Sequence, residues 1–240
     1  MVRNKMKNQS LKEFYIMGCK VFQFMDEDGS YFESRNQLYY DYLLLTPFLP
    51  KGDIHYVDIG ARNGDSIREL VPSKDRIKSI VCFEPNPEEF KKLEIVSKKN
   101  GLESSLNQFA ISKESGTLDF VWDEKERNGG LKNEISLSQT WDSEKKFKCL
   151  CWEDFSDDLK MKLSKANFIK VDTEGSDIEA LMQLNEIIKK NHPTIMTEWF
   201  PNTEEKIKEF CNEFSYSVVD PETRKAPTKW CHNLILIPVK

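Results

Sequence analysis

From residue 55 onward the chain alternates short β-branched or aromatic runs with segments of helical periodicity, and this alternation restricts the fold more than any other feature. The pairs are HYVDIG with GDSIRELV, SIVCFEP with PEEFKKLEIVSKKNG, FKCLCW with EDFSDDLKMKL, NFIKVDT with SDIEALMQLNEIIKKN, and TIMTEWF with NTEEKIKEFCNEF. Two further strand-like runs, LNQFAIS and TLDFVW, fall between the second pair and the third. Strand alternating with helix implies right-handed crossovers and a mainly parallel sheet covered on both faces. The closing runs SYSVVD and NLILIPV have no helix between them, so they should pair as an antiparallel hairpin at one end of the sheet. Residues 1–50 read as a helical cover, because Leu38, Tyr39, Tyr42, Leu43 and Leu45 offer an apolar face that stops at Pro47 and Pro50. The reading is therefore an α/β domain over residues 51–240 preceded by an N-terminal helical extension over residues 1–50. No repeat, low-complexity tract or linker divides it further.

A chain of 240 residues buries enough surface to need no disulfide support. Its cysteines (Cys19, Cys82, Cys149, Cys151, Cys211 and Cys231) are scattered and without zinc-ligand spacing, so they read as reduced thiols of a cytoplasmic protein. The net charge of -5, with Lys and Glu well mixed, provides no basic face for a polyanion, and nucleic acid is not an expected partner. Near the N-terminus Lys12, Glu13 and Lys20 interrupt the apolar residues before spanning length is reached, so no membrane span is expected.

In a parallel sheet of this kind ligands sit outside the carboxyl ends of the strands. The first such end is YVDIGARNGDSI, residues 56–67. Gly60 permits a turn closed to residues with a Cβ, Gly64 lets backbone N–H groups approach a ligand, and the following helix start favours a carboxylate. The spacing departs from G-x-G-x-x-G, which argues against a nicotinamide cofactor. About two dozen residues on, the second strand ends in CFEPNP, and an acid at the position of Glu84 can accept both ribose hydroxyls of a nucleoside.

A third end, IKVDTEGSD, delivers Asp172 and Glu174 to the same edge, where neighbouring acids tend to split their pKa values into a base and a structural partner. Capping of the helix near Ser176 is the plainer use of either acid. Glu198 ends the strand TIMTEW as a further acid, and His232, just before the last strand, has the pKa best suited to base work near neutrality. Asp172, Glu174 and Glu198 also offer the oxygen ligands that magnesium prefers. Residues 123–142, with Gly129, Gly130 and Trp141, read as a lid or a loose loop. Trp199 and Phe200 are either core or a stacking surface for a sugar ring.

Together YVDIGARNGDSI, CFEPNPEEFKKLE, LNQFAIS after an Asn100-Gly101 turn, and KVDTEGSDIEALMQL resemble the FkbM family of S-adenosylmethionine-dependent O-methyltransferases, over about residues 55–200. The resemblance implies the Rossmann-like seven-stranded sheet of class I methyltransferases. It also implies S-adenosylmethionine as methyl donor, S-adenosylhomocysteine as product, and an acceptor hydroxyl on a glycan, a nucleotide sugar or a polyketide-type small molecule. Carried over by position, Asp58, Gly60, Ala61, Asn63 and Gly64 would hold the methionine part, and Glu84 the ribose with Asn86 nearby. Gln108 and Ala110 would border the adenine, and Asp172 and Glu174 would face the methyl group. Arg62 stands where the family often has Asn, and Ser176-Asp177 where Ala-Glu is frequent.

Overall fold

The computed structural model describes residues 9–26, 44–123, 128–131, 143–227 and 233–239. The N-terminal part is not the expected helix: β1 (Gln9–Ile16) and β2 (Cys19–Asp26) form an antiparallel hairpin with an unbroken register from Gln9↔Asp26 to Ile16↔Cys19. Its turn is Met17-Gly18, with φ of 50° and 78°. Two consecutive positive φ values match the right-handed twist of the flanking strands, and the second needs no Cβ to be displaced. The apolar face expected over Leu38–Leu43 lies outside the described residues, and Leu45 leads into a single 3-10 turn, Thr46–Phe48, that contains Pro47.

The α/β part begins with β3 (Ile54–Ile59) and the short helix α1 (Asp65–Arg68), followed by β4 (Ile77–Phe83), α2 (Pro87–Asn100) and β5 (Ser105–Asn107). The small strands β6 (Ala110–Ile111), β7 (Gly116–Asp123), β8 (Asn128–Leu131) and β9 (Ser143–Leu150) come next. Then follow α3 (Asp157–Leu163), β10 (Phe168–Val171), α4 (Asp177–Gln183), α5 (Asn185–Asn191), β11 (Thr194–Glu198), α6 (Glu204–Phe214), β12 (Tyr216–Val219) and β13 (Asn233–Pro238). A seven-stranded sheet runs in the order β12-β13-β11-β10-β3-β4-β5. Its strands are parallel except β13, which lies antiparallel to both β11 and β12. The mostly parallel α/β sheet and its closing antiparallel hairpin are thus as expected, with β13 inserted between β11 and β12.

LNQFAIS does not stay in one sheet. β5 edges the large sheet, and after Gln108 the chain enters a four-stranded sheet of order β6-β9-β7-β8 that rises beside the strand tips.

Alternation along the central strands sorts side chains into two cores. Val57, Ile59, Val81, Phe83, Ile169 and Val171 pack with Leu159, Leu181, Ile188 and Phe210 on one face. Ile54, Tyr56, Ile80, Cys82 and Phe168 pack with Ile67, Leu93 and Val96 on the other, and Ile16 and Val21 of the hairpin join this second core. Helix α2 is bounded by local signals: the Asn86 side chain accepts from Glu88 N, Pro87 opens the first turn, and Gly101 at φ 65° closes the last. Leu93 is fully buried, and Leu93→Ala costs about 2–5 kcal/mol on the usual scale for such truncations.

Candidate active site

The tips of β3, β4 and β10 surround a cavity of about 300 Å³. The loop after β3 is tied to its neighbours on both sides. Gly60 N and Ala61 N each donate to Phe83 O at 3.0 Å, and a Cβ on Gly60 would lie 1.9 Å from the carbonyl oxygen of Asp172. Gly60 therefore has a stricter task than turning, because its bare Cα (φ 79°) lets the first loop lie against the third strand tip. Gly64 behaves differently from the expectation that it brings backbone N–H to a ligand: its N–H donates to Ala61 O, and a Cβ there would meet Val96 Cγ1 at 2.8 Å. It serves the packing of α1 on α2.

Glu84 follows β4 and lines the cavity, nearly buried. Arg62 N donates to its Oε2 and Asn86 N to its Oε1, each at 2.8 Å, so the carboxyl group is aimed by backbone alone. Burial raises its pKa to about 7 despite those two donors. Asn86 and Ala110 also line the cavity, together with Phe109 and Ile111. Gln108 does not; it is exposed at the corner between the two sheets. Asp58 and Asn63 are buried just outside the wall. Asp58 accepts a hydrogen bond from Ser66 Oγ, and Lys170 Nζ lies 3.8 Å from its Oδ1. Burial pushes the Asp58 carboxyl up, and Lys170 and the Ser66 hydroxyl only partly offset this.

The third tip departs from simple strand alternation. β10 stops at Val171, and a turn with Glu174 at φ 58° and Gly175 at φ 116° folds the following residues back. One carboxylate oxygen each of Asp172, Glu174 and Glu198 lie within 4.8 Å of one another. Lys170 Nζ donates to Asp172 Oδ2 at 3.1 Å. Burial acts to raise the Asp172 carboxyl, but Lys170 outweighs it and holds the pKa below the usual carboxylate range. For Lys170 burial works against the charge, and Asp172 and Asp58 more than reverse it, so the ammonium is held charged. Glu198 goes the other way: burial first, then the charges of Asp172, Glu174 and Asp177, push it far up, and it shares a hydrogen bond with Asp172. The two carboxyl groups are thus pushed in opposite directions, Asp172 toward the charged form and Glu198 toward the neutral one.

The sequence reading passed over Asp177, which fixes this geometry. It does not cap α4. Its Oδ1 accepts from Thr173 N (2.8 Å) and Thr173 Oγ1 (2.7 Å), and its Oδ2 from Thr197 Oγ1 (2.9 Å) and Glu198 N (3.0 Å), strapping the β10 and β11 tips together. Lys170, Arg62 and Arg68 were likewise not anticipated as cavity residues, nor were Phe120 and Phe147, whose rings meet edge to face at 5.1 Å on the four-stranded sheet. Lys170 carried a usable signal, a charge inside an otherwise apolar strand; the two phenylalanines did not. Trp199, partly buried, packs against the first of the two cores, which is the core alternative for that residue. His232, Trp141 and most of the lid segment lie outside the described residues.

The arrangement suits a nucleoside-bearing cation. Among the described residues Asp58 Oδ1, Asn86 Nδ2 and Ser176 Oγ are buried without a hydrogen-bond partner, and Asn86 and Ser176 line the cavity. Polar atoms of this kind at a cavity wall are available to a ligand or to water. A family model for the methyltransferase FkbM domain matches residues 58–218. No curated protein matches the chain. Among solved structures, a methyltransferase FkbM from Methylobacillus flagellatus KT superimposes with a TM-score of 0.55 at 16% identity, covering 81% of this chain and 47% of that one. The chain thus spans about half of that structure's length. A putative transferase from Pyrococcus horikoshii gives a TM-score of 0.51 at 12% identity (95% of this chain, 71% of that one). TYW2 from P. horikoshii, solved with MeSAdo, gives 0.50 at 13% (95% and 70%). At these identities the likeness is one of fold, that of class I methyltransferases.

Proposed function

Since the chain belongs to the FkbM methyltransferase family, we propose that this methyltransferase moves a methyl group from S-adenosylmethionine to a hydroxyl oxygen, of a sugar in a glycan or nucleotide sugar. The observation that carries the oxygen acceptor is the acid cluster at the third strand tip, where one carboxylate oxygen each of Asp172, Glu174 and Glu198 lie within 4.8 Å and Lys170 Nζ donates to Asp172 Oδ2. When bound, the donor supplies an electrophilic methyl on a sulfonium, a group that needs alignment and exclusion of water more than activation. The residues that fit it are Gly60, Ala61 and Arg62 of the first loop, Glu84 and Asn86 at the second tip for the ribose hydroxyls, and Ala110 with Phe109 beside the base. Asp58 and Asn63 hold that loop from behind, and Gly64 sets its packing.

Asp172 is a weak base, and a weak base is sufficient. As the S–CH3 bond breaks and the O–CH3 bond forms, the alcohol oxygen gains a third substituent and positive charge, which makes its proton strongly acidic, so the proton passes to a carboxylate late in the transfer. Asp172 accepts the hydroxyl's hydrogen bond, orients the oxygen and takes up its proton, while Lys170 favours the ionised group beforehand. Glu198 and Glu174 border the acceptor. Alignment supplies up to roughly 7–11 kcal/mol and the base about 3–5 kcal/mol, so positioning dominates. In Asp172→Asn, turnover falls by about 10²–10⁴-fold while affinity for S-adenosylhomocysteine is kept; near-normal turnover removes Asp172 from this role. The acceptor is identified by offering labelled S-adenosylmethionine to a panel of glycans and nucleotide sugars and locating the methyl by mass spectrometry.

One observation favours a second reading. Three carboxylate oxygens within 4.8 Å can be reconciled by a divalent cation instead of a proton, which makes the enzyme a magnesium-dependent O-methyltransferase of small-molecule hydroxyls. Activity lost on chelation and restored by Mg²⁺ selects this version; activity unmoved by chelation selects the proton-sharing pair.

A further inference from the structure

We propose that Gln23, carried by the N-terminal hairpin, is a positioning residue for the loop Gly60–Gly64, which makes the hairpin a working part of the donor site. This deepens the preceding reading and rests on that loop's holding S-adenosylmethionine.

Gln23 has no exposed surface and sits in β2 between residues that dock the hairpin by apolar contact, Val21 and Phe24. Docking alone does not call for an amide at this place. Its Nε2 lies 2.5 Å from Asn63 Oδ1 and donates to Asp65 Oδ1. With the Asn63 amide turned over, its Nδ2 lies 2.8 Å from Asp65 Oδ1 and the bond between the two amides is lost, but Gln23 keeps its bond to Asp65, so in either orientation Gln23 is tied to the loop through Asp65. Asp65 passes this constraint to the cavity. It accepts from Arg68 Nη1 at 2.8 Å and faces Arg62 Nη1 at 3.8 Å, and Asp65, Arg62 and Arg68 all line the wall.

Arg62 is the residue whose N–H aims Glu84, and it is held at φ 47°, a left-handed conformation that a side-chain-bearing residue keeps only when its surroundings dictate it. Gln23, through Asn63 and Asp65, supplies that surrounding from the side opposite the ligand. A separate clasp sets the depth of the hairpin: Asn100 Oδ1 accepts from Phe22 N at 2.8 Å, and Asn100 Nδ2 donates to Phe22 O at 2.9 Å. The Asn100 side chain thereby replaces a neighbouring strand at the residue next to Gln23.

The test uses the full chain, with calorimetric titration of S-adenosylhomocysteine into wild type, Gln23→Met, Gln23→Glu and Val21→Ala. Gln23→Met keeps the volume and removes the hydrogen bonds, so it folds and binds about ten-fold more weakly. With S-adenosylmethionine as varied substrate its kcat/KM falls by a similar factor while KM for the acceptor is unmoved. Gln23→Glu puts a carboxylate against Asp65, and its weakened binding recovers on acidification relative to wild type at the same pH, a profile that a merely structural role does not produce. Val21→Ala lowers Tm and leaves affinity near the wild-type value. Gln23 variants within about two-fold of a normally binding wild type overturn the inference, as does a Val21→Ala loss equal to that of Gln23→Met. Wild type that takes up no S-adenosylhomocysteine overturns the donor assignment itself.

Discussion

Glu84 shows how one side chain ties fold to chemistry. Its pKa near 7 in the free protein reflects a carboxyl group buried before its ligand arrives. Because this lies above the ordinary value of 4.5, the folded protein holds a proton that the unfolded chain gives up between pH 4.5 and about 7. The stability it contributes is complete below that window and is lost as pH rises through it, a change on the order of 3 kcal/mol. Ribose hydroxyls donating to the carboxylate favour the charged form, so binding at about pH 6 releases a proton. Calorimetry of S-adenosylhomocysteine in buffers of different ionisation enthalpy is expected to show that release for wild type and none for Glu84→Gln. Gly60 gives a steric counterpart: Gly60→Ala drives a Cβ into the Asp172 carbonyl, and donor binding is lost even at temperatures where circular dichroism shows the fold intact. The placement of Gly60, Glu84 and Asp172 was legible in the sequence because each follows directly on a strand of unmistakable apolar pattern. Gln108 was placed by likeness alone and Gly64 by its glycine in a strand-to-helix turn, and neither lines the cavity.

At the scale of elements, the strap from Asp177 joins the β10 and β11 tips, which carry the acid cluster. Asp177→Asn can keep only part of a four-donor set, and loosening of Glu198 against Asp172 follows. The expected outcome is a kcat reduced by about ten-fold or more with donor affinity within about two-fold, measured by steady-state kinetics beside calorimetry. No spacing rule announces such a residue, because its partners, Thr197 and Glu198, come from a different strand some twenty residues on. The alternating elements of the α/β part, in contrast, were readable because periods of 2 and 3.6 are local properties. The hairpin of β1 and β2 escaped for a local reason too: its turn is Met-Gly, without the Asn or Asp that usually marks two positive φ values, and residue 23 breaks the apolar alternation with a buried amide.

For the whole molecule, the seven-stranded order places three tips side by side and the four-stranded sheet walls one flank with Phe120 and Phe147. Parallel strands brought Gly60, Glu84 and Asp172 to one edge, so the sequence reached the cavity that they line. The wall and the docking of the hairpin depend on contacts between distant segments, so it did not reach them. The central claim is that this edge binds S-adenosylmethionine, and titrating S-adenosylhomocysteine into the purified protein tests it most directly. One molecule bound per chain, with heat abolished in Glu84→Ala, is the predicted result; a flat titration for the folded wild-type protein contradicts it.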